Sequence, residues 1–323
     1  MMDTQPIKTR FLIISDTHGM TIPPQYLTHA NIDVLIHCGD LTTESKLAEY
    51  HQVIQLLQSI PAPLKLLIAG NHDFTLDDGI YTKKMHEAER TGIDIQLIHQ
   101  EYGQVGEARA LLTSFSSSVG ITFLDEGTHH FKLSNGATLN VYASPYTPSA
   151  GDWGFQYRQD QGHDFSAMQK EGEEAAIDVV ITHGPPHGIM DYLDSGQRAG
   201  CPQLFETVAR CRPKMHCFGH IHEGWGGKLV AWRKKASEKP SHFTDIDHGR
   251  SEVVAKLTTL GHEMENDRNR VCYATSHCAG DPSPIQRGLQ TLFVNAAIEG
   301  TEERPIQLPW LVDLDLPGAK ESI

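Results

Sequence analysis

Phe11-Leu-Ile-Ile-Ser-Asp-Thr-His18 is the stretch on which the reading of the chain turns. Four apolar residues in a row are too few for a helix and predict a buried strand, and that strand stops on Asp16 and His18. The same order returns at Asp33-Val-Leu-Ile-His37, which runs into Cys38-Gly-Asp40. It returns again at Leu64 to Ala69, which runs into Gly70-Asn-His-Asp73. Between the second and third runs, Leu47, Val53, Ile54 and Leu57 recur at helical spacing over Glu44 to Ser59, and Pro61 ends the run. Strand–helix–strand alternation predicts βαβ units with strands buried between layers.

Working outward, residues 74–120 carry a weaker pattern, with one helix expected around Gln104 to Phe115. Thr128 to Leu133 and Thr138 to Ala143 flank Ser134-Asn-Gly136, a hairpin signal. Ser144 to Gly154, rich in Pro, Gly and aromatics, reads as a loop. Asp178 to Thr182 is a further buried strand, ending at His183-Gly-Pro-Pro-His187. A helix over Gln203 to Arg210 and a strand over Lys214 to Phe218 follow, the strand ending at Gly219-His-Ile-His222. Thr291 to Ala297 and Trp310 to Leu314 read as closing strands. With no repeat and no clear linker, the expectation is one domain over residues 1–323 with an inserted polar segment at about 233–288. The histidines and cysteines of that segment (His242, His248, His262, His277, Cys272, Cys278) match no zinc spacing, so it reads as solvated loop, with a lid or a dimer contact as the alternatives.

The chain has 323 residues, 39% of them hydrophobic and 21% charged, an ordinary globular composition. No apolar run approaches the ~18 residues of a membrane span. The polar Met1 to Arg10 and the four-residue run after it argue against a standard secretory signal, so a cytoplasmic location is expected. The 27 Lys and Arg against 41 Asp and Glu give a net charge of −14. That is a poor balance for gripping a nucleic-acid backbone, where basic residues must replace counterions. Six cysteines without a Cys-x-x-Cys pair read as reduced thiols. A homo-oligomer remains open.

Five predicted strands thus end in a metal-ligand type: Asp16 and His18, Asp40, Asn71 and His72, His183, and His220 with His222. Ligands bind beyond the carboxyl ends of parallel strands, so these distant residues can share one crevice. On an extended chain, residues i and i+2 lie on one face roughly 7 Å apart, which suits two metals ~3.5–4 Å apart. The donors are carboxylate, amide and imidazole without thiolate, a set for Zn, Mn or Fe rather than Ca or Mg. An isolated Asp-x-His or His-x-His is more often surface polarity or a core hydrogen bond. Five, each after a buried strand, call for a shared site.

Asp16-Thr-His18, Gly39-Asp40, Gly70-Asn-His-Asp73, Thr182-His-Gly184 and Gly219-His-Ile-His222 resemble, in order, the signature blocks of calcineurin-like metallophosphoesterases. Trp153-Gly-Phe155, Thr182-His-Gly-Pro-Pro186, Arg198-Ala-Gly-Cys201 and His220-Ile-His-Glu-Gly224 are similar to the metallophosphoesterase-domain-containing branch, related to class III cyclic-nucleotide phosphodiesterases. The resemblance covers about residues 8–230 and resumes near 291–317; residues 233–288 match no family segment. It implies an α/β fold, a four-layer αββα sandwich with two metal ions at the strand ends. Asp16, His18 and His222 would hold the first ion, Asn71, His183 and His220 the second, and Asp40 would bridge them. His220 varies within the branch and is present here.

The implied reaction is hydrolysis of a small phosphodiester, cyclic-nucleotide-like or aryl, by in-line attack of a metal-bridging hydroxide. His72 is the candidate to protonate or stabilise the leaving alkoxide, with a hydrogen-bonded structural histidine as its plain alternative. Asp73 is read as orienting His72. Trp153, Phe155 and Tyr157 would stack on a base or aryl group, or pack as a lid. Arg198 would contact phosphate, or form a surface ion pair. His187 would line the cleft, or face water; His37 would support the site and Cys38 would fill space. The rival readings are a phosphomonoesterase or protein phosphatase, the same centre turned to a non-phosphoester reaction, and a nucleotide binder without turnover.

Overall fold

The structure, a computed structural model, describes residues 5–29, 31–115, 119–149, 151–168, 176–266, 269–300 and 306–319. Layering begins with alternation along one strand. In β1 (Ile7–Ile14), Phe11 and Ile13 point to one face, and Leu12 and Ile14 to the other, and all four are fully buried. A strand buried on both faces needs a cover on each, which makes four layers.

Phe11 and Ile13 pack with Val141, Ile181 and Cys217 of a second sheet. Leu12 and Ile14 pack with Tyr50, Val53, Ile54 and Leu57, the inward face of helix α2 (Leu47–Ser59). That helix is preceded by a short α1 (Pro24–Leu27) and starts where Glu49 accepts a hydrogen bond from the Lys46 amide at 2.9 Å. The second sheet turns Tyr142, Val180, Phe218 and Phe293 outward onto Leu204, Phe205 and Val208 of helix Pro202–Cys211. The architecture is the expected αββα sandwich.

The first sheet holds six strands, with β1 between β15 (Trp310–Leu316) and β2 (Val34–His37), then β3 (Leu64–Leu67) and β4 (Ile121–Phe123). Strands β1 to β4 run parallel; β15 is antiparallel to β1, pairing Ile7 with Leu316 through Ile13 with Trp310. The second sheet holds seven strands. Its centre is β6 (Thr138–Ser144), β9 (Val179–Thr182), β10 (Met215–Phe218) and β14 (Gln290–Asn295), all parallel. β5 (Gly127–Lys132) joins β6 through the expected hairpin, whose turn uses Gly136 at φ 88°. The 147–157 loop is pinned by a two-residue pairing of β7 (Thr147–Pro148) with β8 (Gln156–Tyr157).

Two stretches differ from the sequence expectation. Among the described residues, 74–120 hold three α-helices rather than one: α3 (Asp78–Arg90), α4 (Ile95–Tyr102) and α5 (Glu107–Ser114). Only Tyr81 and Ala88 of α3 are buried and no residue of α4 is, so their apolar stripes are short, Tyr81, Met85 and Ala88 in one and Ile95, Ile98 and Tyr102 in the other. Their sequence signals are caps: Asp77 accepts from the Ile80 amide at 3.1 Å and Asp94 from Gln96 at 2.9 Å.

The 233–288 segment, read as solvated loop, supplies an edge strand to each sheet. With α6 as Pro202–Cys211, it carries β12 (Glu252–Lys256), helix α7 (Leu257–Asn266) and β13 (Tyr273–Ser276). β12 pairs with β11 (Gly226–Ala231), and β13 with β15. An edge strand is covered on fewer sides, so its residues need not form an apolar run. The side chain of His262 lies outside the described residues.

Two buried imidazoles stand behind the strand ends. His37 Nε2 meets Thr17 Oγ1 at 2.9 Å and His216 Nε2 meets Thr182 Oγ1 at 2.8 Å. Thr182 also donates to the Gly184 carbonyl at 2.7 Å, so His216 is the donor in its pair. Burial pushes both imidazoles down to about 3, from an ordinary value near 6.5. They stay neutral in the folded chain while the unfolded chain takes up protons, so stability is full above pH 6.5 and drains as pH falls towards 3. His216→Asn removes one such group and should flatten the acid loss of stability by about 1.4 kcal/mol per pH unit below 6. Urea unfolding at pH 7, 6, 5 and 4 checks this; parallel slopes for variant and wild type would refute it.

Candidate metal centre

The residues after the strand ends are not extended, as the i, i+2 argument assumed. Asp16, His18, Asp40 and His220 sit at φ 53°, 43°, 50° and 66°, a left-handed conformation that L residues adopt at a cost of ~1–3 kcal/mol. Backbone hydrogen bonds between the loops hold them there. The Asp16 amide donates to Gly39 O (2.9 Å), His18 to Asp40 O (3.1 Å) and Gly19 to Leu41 O (2.9 Å). Two glycines permit the approach. A Cβ on Gly70 would lie 2.2 Å from Asp40 Oδ1, and one on Gly219 would lie 1.9 Å from Asp16 Oδ2.

The turns bring the expected donors together. His183 Nε2 is 3.2 Å from Asp40 Oδ2 and 3.0 Å from Asn71 Oδ1. His222 Nε2 is 3.4 Å from Asp16 Oδ1, and His18 Nε2 is 3.8 Å from Asp40 Oδ2. Three groups, Asp16/His18/His222, His18/Asp40/His72 and Asp40/His183/His220, each have donor atoms within 4.8 Å of one another. Donors around one ion at ~2.1 Å lie ~3.0–3.5 Å apart, so the spacing fits metal coordination. Asp40 and His18 belong to two groups each, which links the groups into one centre.

Electrostatics around the two carboxylates are one-sided. Burial alone would raise Asp16, but His222, His183 and His18 hold it far below the usual carboxylate range. Asp40 is likewise lowered, His183 outweighing burial. His183 answers in kind: burial lowers it, yet Asp40 and Asp16 carry it up to about 9. His220, pressed down by burial and by His183, falls to about 4.

Three of the rings are aimed by their other nitrogen. His18 Nδ1 donates to Thr42 O (3.1 Å), His183 Nδ1 to Cys38 O (2.9 Å) and His72 Nδ1 to Thr43 O (2.7 Å). A carbonyl only accepts, so each Nδ1 carries a proton, which leaves Nε2 of His18 and His183 for the centre and Nε2 of His72 facing the cleft. Asp73, read as the orienting partner of His72, does something else. It accepts from the amides of Leu41 (3.0 Å), Thr42 (3.0 Å) and Gly70 (2.8 Å) and from Thr42 Oγ1 (2.7 Å), clamping the Asp40 loop to the Asn71 loop. Burial and the Asp40 charge push it up to about 6 against those donors.

The remaining candidates scatter. Trp153 lies tilted on the His72 ring, centroids 4.3 Å apart, and is 39% exposed. Phe155, expected to stack on substrate, is instead buried in the α2-side core beside Tyr146, because a loop aromatic with no solvated face packs. Arg198, for which a phosphate contact and an ion pair are the two readings, forms the ion pair, with buried Asp191, and stacks on Tyr192 at 3.9 Å. His187 lies 3.6 Å from the same aspartate and beside His242. None of these four lines the open cleft of about 580 Å³ over the centre, which is bordered by Thr43, Leu193, Asp194, Glu223, Leu257, Glu299 and Gln307. Glu299 was missed. It follows the run Thr291 to Ala297, so the strand-end rule used elsewhere reaches it.

Residues 9–224 match the calcineurin-like phosphoesterase family. The chain belongs to that family. Among relatives, metallophosphoesterase domain-containing protein 1 of Homo sapiens and of Mus musculus is 32% identical over 228 residues, 68% of this chain. The chain spans 63% of the length of those relatives. A probable rhamnogalacturonate lyase C of Emericella nidulans is 31% identical over 69% of this chain but 18% of its own length. The solved purple acid phosphatase PPD1 of yellow lupin is 9% identical, over 99% of this chain and 58% of its own, with a TM-score of 0.41. No helix among the described residues is long and apolar enough to cross a membrane.

Family membership and the converging donors make Gly219 a decisive position. Gly219→Ala should keep the far-UV circular dichroism of the fold and weaken Mn²⁺ binding by at least ~10-fold, because the methyl displaces the Asp16 carboxylate. Calorimetric titration of the metal-stripped protein reads this; an unchanged affinity would mean that Asp16 is not a donor.

Proposed function

We propose that the chain is a two-metal phosphoesterase whose preferred substrates are small phosphodiesters. The observation that carries this is the charge of the cleft. Among the described residues, no lysine or arginine lines it, while Asp194, Glu223 and Glu299 do. A monoester arrives at neutral pH with a charge near −2 and needs cationic side chains beyond the metals. A diester carries −1, and its second substituent finds apolar wall at Leu193 and Leu257.

In this reading, Asp16, His18 and His222 hold one ion, Asn71, His183 and His220 the other, and Asp40 lies between. Two divalent ions, when bound, polarise phosphoryl oxygens and supply a water nucleophile at neutral pH. Zn, Mn and Fe all suit the donor set. Two such ions outweigh the Asp16 and Asp40 carboxylates, which gives an acidic protein a local attraction for an anion. His72 borders the cleft with its Nδ1 proton committed to Thr43 O, so Nε2 is its free atom: the ring acts as an acid only when Nε2 is protonated as well, and that second proton is the one handed to the departing oxygen. Trp153 covers one face of that ring and fixes its plane. Asp73 keeps the two loops in register. All six cysteines are free thiols, which supports a reducing, cytoplasmic setting.

Elemental analysis paired with turnover of bis(p-nitrophenyl) phosphate and of p-nitrophenyl phosphate tests the reading. Wild type should hold near two metals per chain and prefer the diester; Asp40→Ala should lose both metal and activity. Faster monoester turnover would overturn the diester assignment, and metal-loaded protein inert on both would overturn the reaction. His72→Gln should cost about 10²–10⁴ in kcat on an alkyl diester and much less on the p-nitrophenyl diester, whose leaving group needs no proton. Equal losses on the two would remove His72 from the proton-transfer role.

A further inference from the structure

One carboxylate of the cleft is unlike its neighbours. Glu299 stands just past β14, where the chain crosses from one sheet to the other: Ser15 bridges Ala297, the Ile298 amide donates to Ser15 O at 2.8 Å, and the Glu299 amide donates to Asp16 O at 3.2 Å. Its backbone is therefore tied to the residues that begin the centre. Its side chain turns inward. Oε2 lies 3.2 Å from His18 Nε2 and 3.6 Å from His222 Nδ1, although the side chain as a whole is 43% exposed.

The nitrogen it approaches on His18 is informative. His18 Nδ1 is occupied by Thr42 O, so Nε2 is the donor atom that His18 offers to the centre. An oxygen 3.2 Å from that atom stands at the distance that separates two donors on one ion, close to the 3.4 Å between His222 Nε2 and Asp16 Oδ1 in the same group. Glu223, a carboxylate of the same cleft, instead accepts from the Asp194 amide at 3.3 Å.

We propose that Glu299 is a further protein donor to the ion held by Asp16, His18 and His222. The proposal rests on the two-metal reading above and adds to it. With Glu299, that position has three carboxylates, Asp40 included, and two imidazoles; the other keeps Asn71, His183, His220 and the Asp40 bridge. The two positions then differ in hardness, and the first favours Mn over Zn relative to the second. Glu299 also closes the first ion from the cleft side, so a substrate oxygen must displace it or bind beside it.

Titration of metal-stripped protein with Mn²⁺, read by calorimetry and by the electron paramagnetic resonance of free Mn²⁺, tests this without turnover. Wild type should show two binding steps. Glu299→Gln, which keeps the shape and removes the charge, should weaken one step by ~10–100-fold and leave the other unchanged. Glu223→Gln should leave both unchanged. Two unaltered steps in Glu299→Gln would overturn the assignment while the two-metal reading stands. Equal weakening by Glu223→Gln would overturn it as well, since the effect would then be general cleft charge. A wild type that takes up no Mn²⁺ would remove both readings together.

Discussion

Two carboxylates, Asp16 and Asp40, are buried where the two β-sheets approach, and the rest of the molecule is arranged around their charge. Each would cost several kcal/mol to bury alone. Each is met from two sides: the His220 amide donates to both oxygens of Asp16 at 3.0 Å, the His72 amide to Asp40 at 2.8 Å, and imidazoles surround both. This is why the loops are tight. Amides reach the carboxylates only if the backbone turns left-handed at Asp16, His18, Asp40 and His220, and only if Gly70 and Gly219 have no side chain.

That strain is offset by the sandwich behind it. Side chains of β1, β2, β9 and β10 interdigitate between the sheets, and helices α2 and α6 close the outer faces. Strand ends held so firmly on both sides cannot relax, which is the condition for keeping donor atoms 3.0–3.8 Å apart. Thr17 and Thr182, braced by the neutral His37 and His216, carry the same rigidity from strand to loop. A neutral imidazole adds no charge to a place that already holds two.

The edges of the sheets do different work. Residues 233–288 lengthen both sheets, β12 on one and β13 on the other, and α7 follows β12 with Leu257 at the rim of the cleft. Together with Leu193 they give the cleft its apolar side, while Glu299 and Glu223 give it acid. Substrate selection in this reading draws on Leu193, Leu257 and Glu299, which lie outside the strand-end blocks, and the reaction on residues inside them.

The layers and the metal-ligand types were legible in the sequence because both are local. A buried strand is an unbroken apolar run, and a residue that ends one lies in the crevice whatever the remainder of the chain does. Tertiary structure alone decided the roles of polar residues in loops. Asp73 clamps two loops instead of orienting His72, Arg198 is spent on Asp191, Phe155 is core, and Glu299 reaches His18 from 281 positions away. No periodicity marks such pairings, since a loop side chain is placed by contacts with residues far off in sequence. The helices α3 and α4 and the edge strands β12 and β13 escaped for a related reason: an element that buries little has only a short or broken apolar pattern to read.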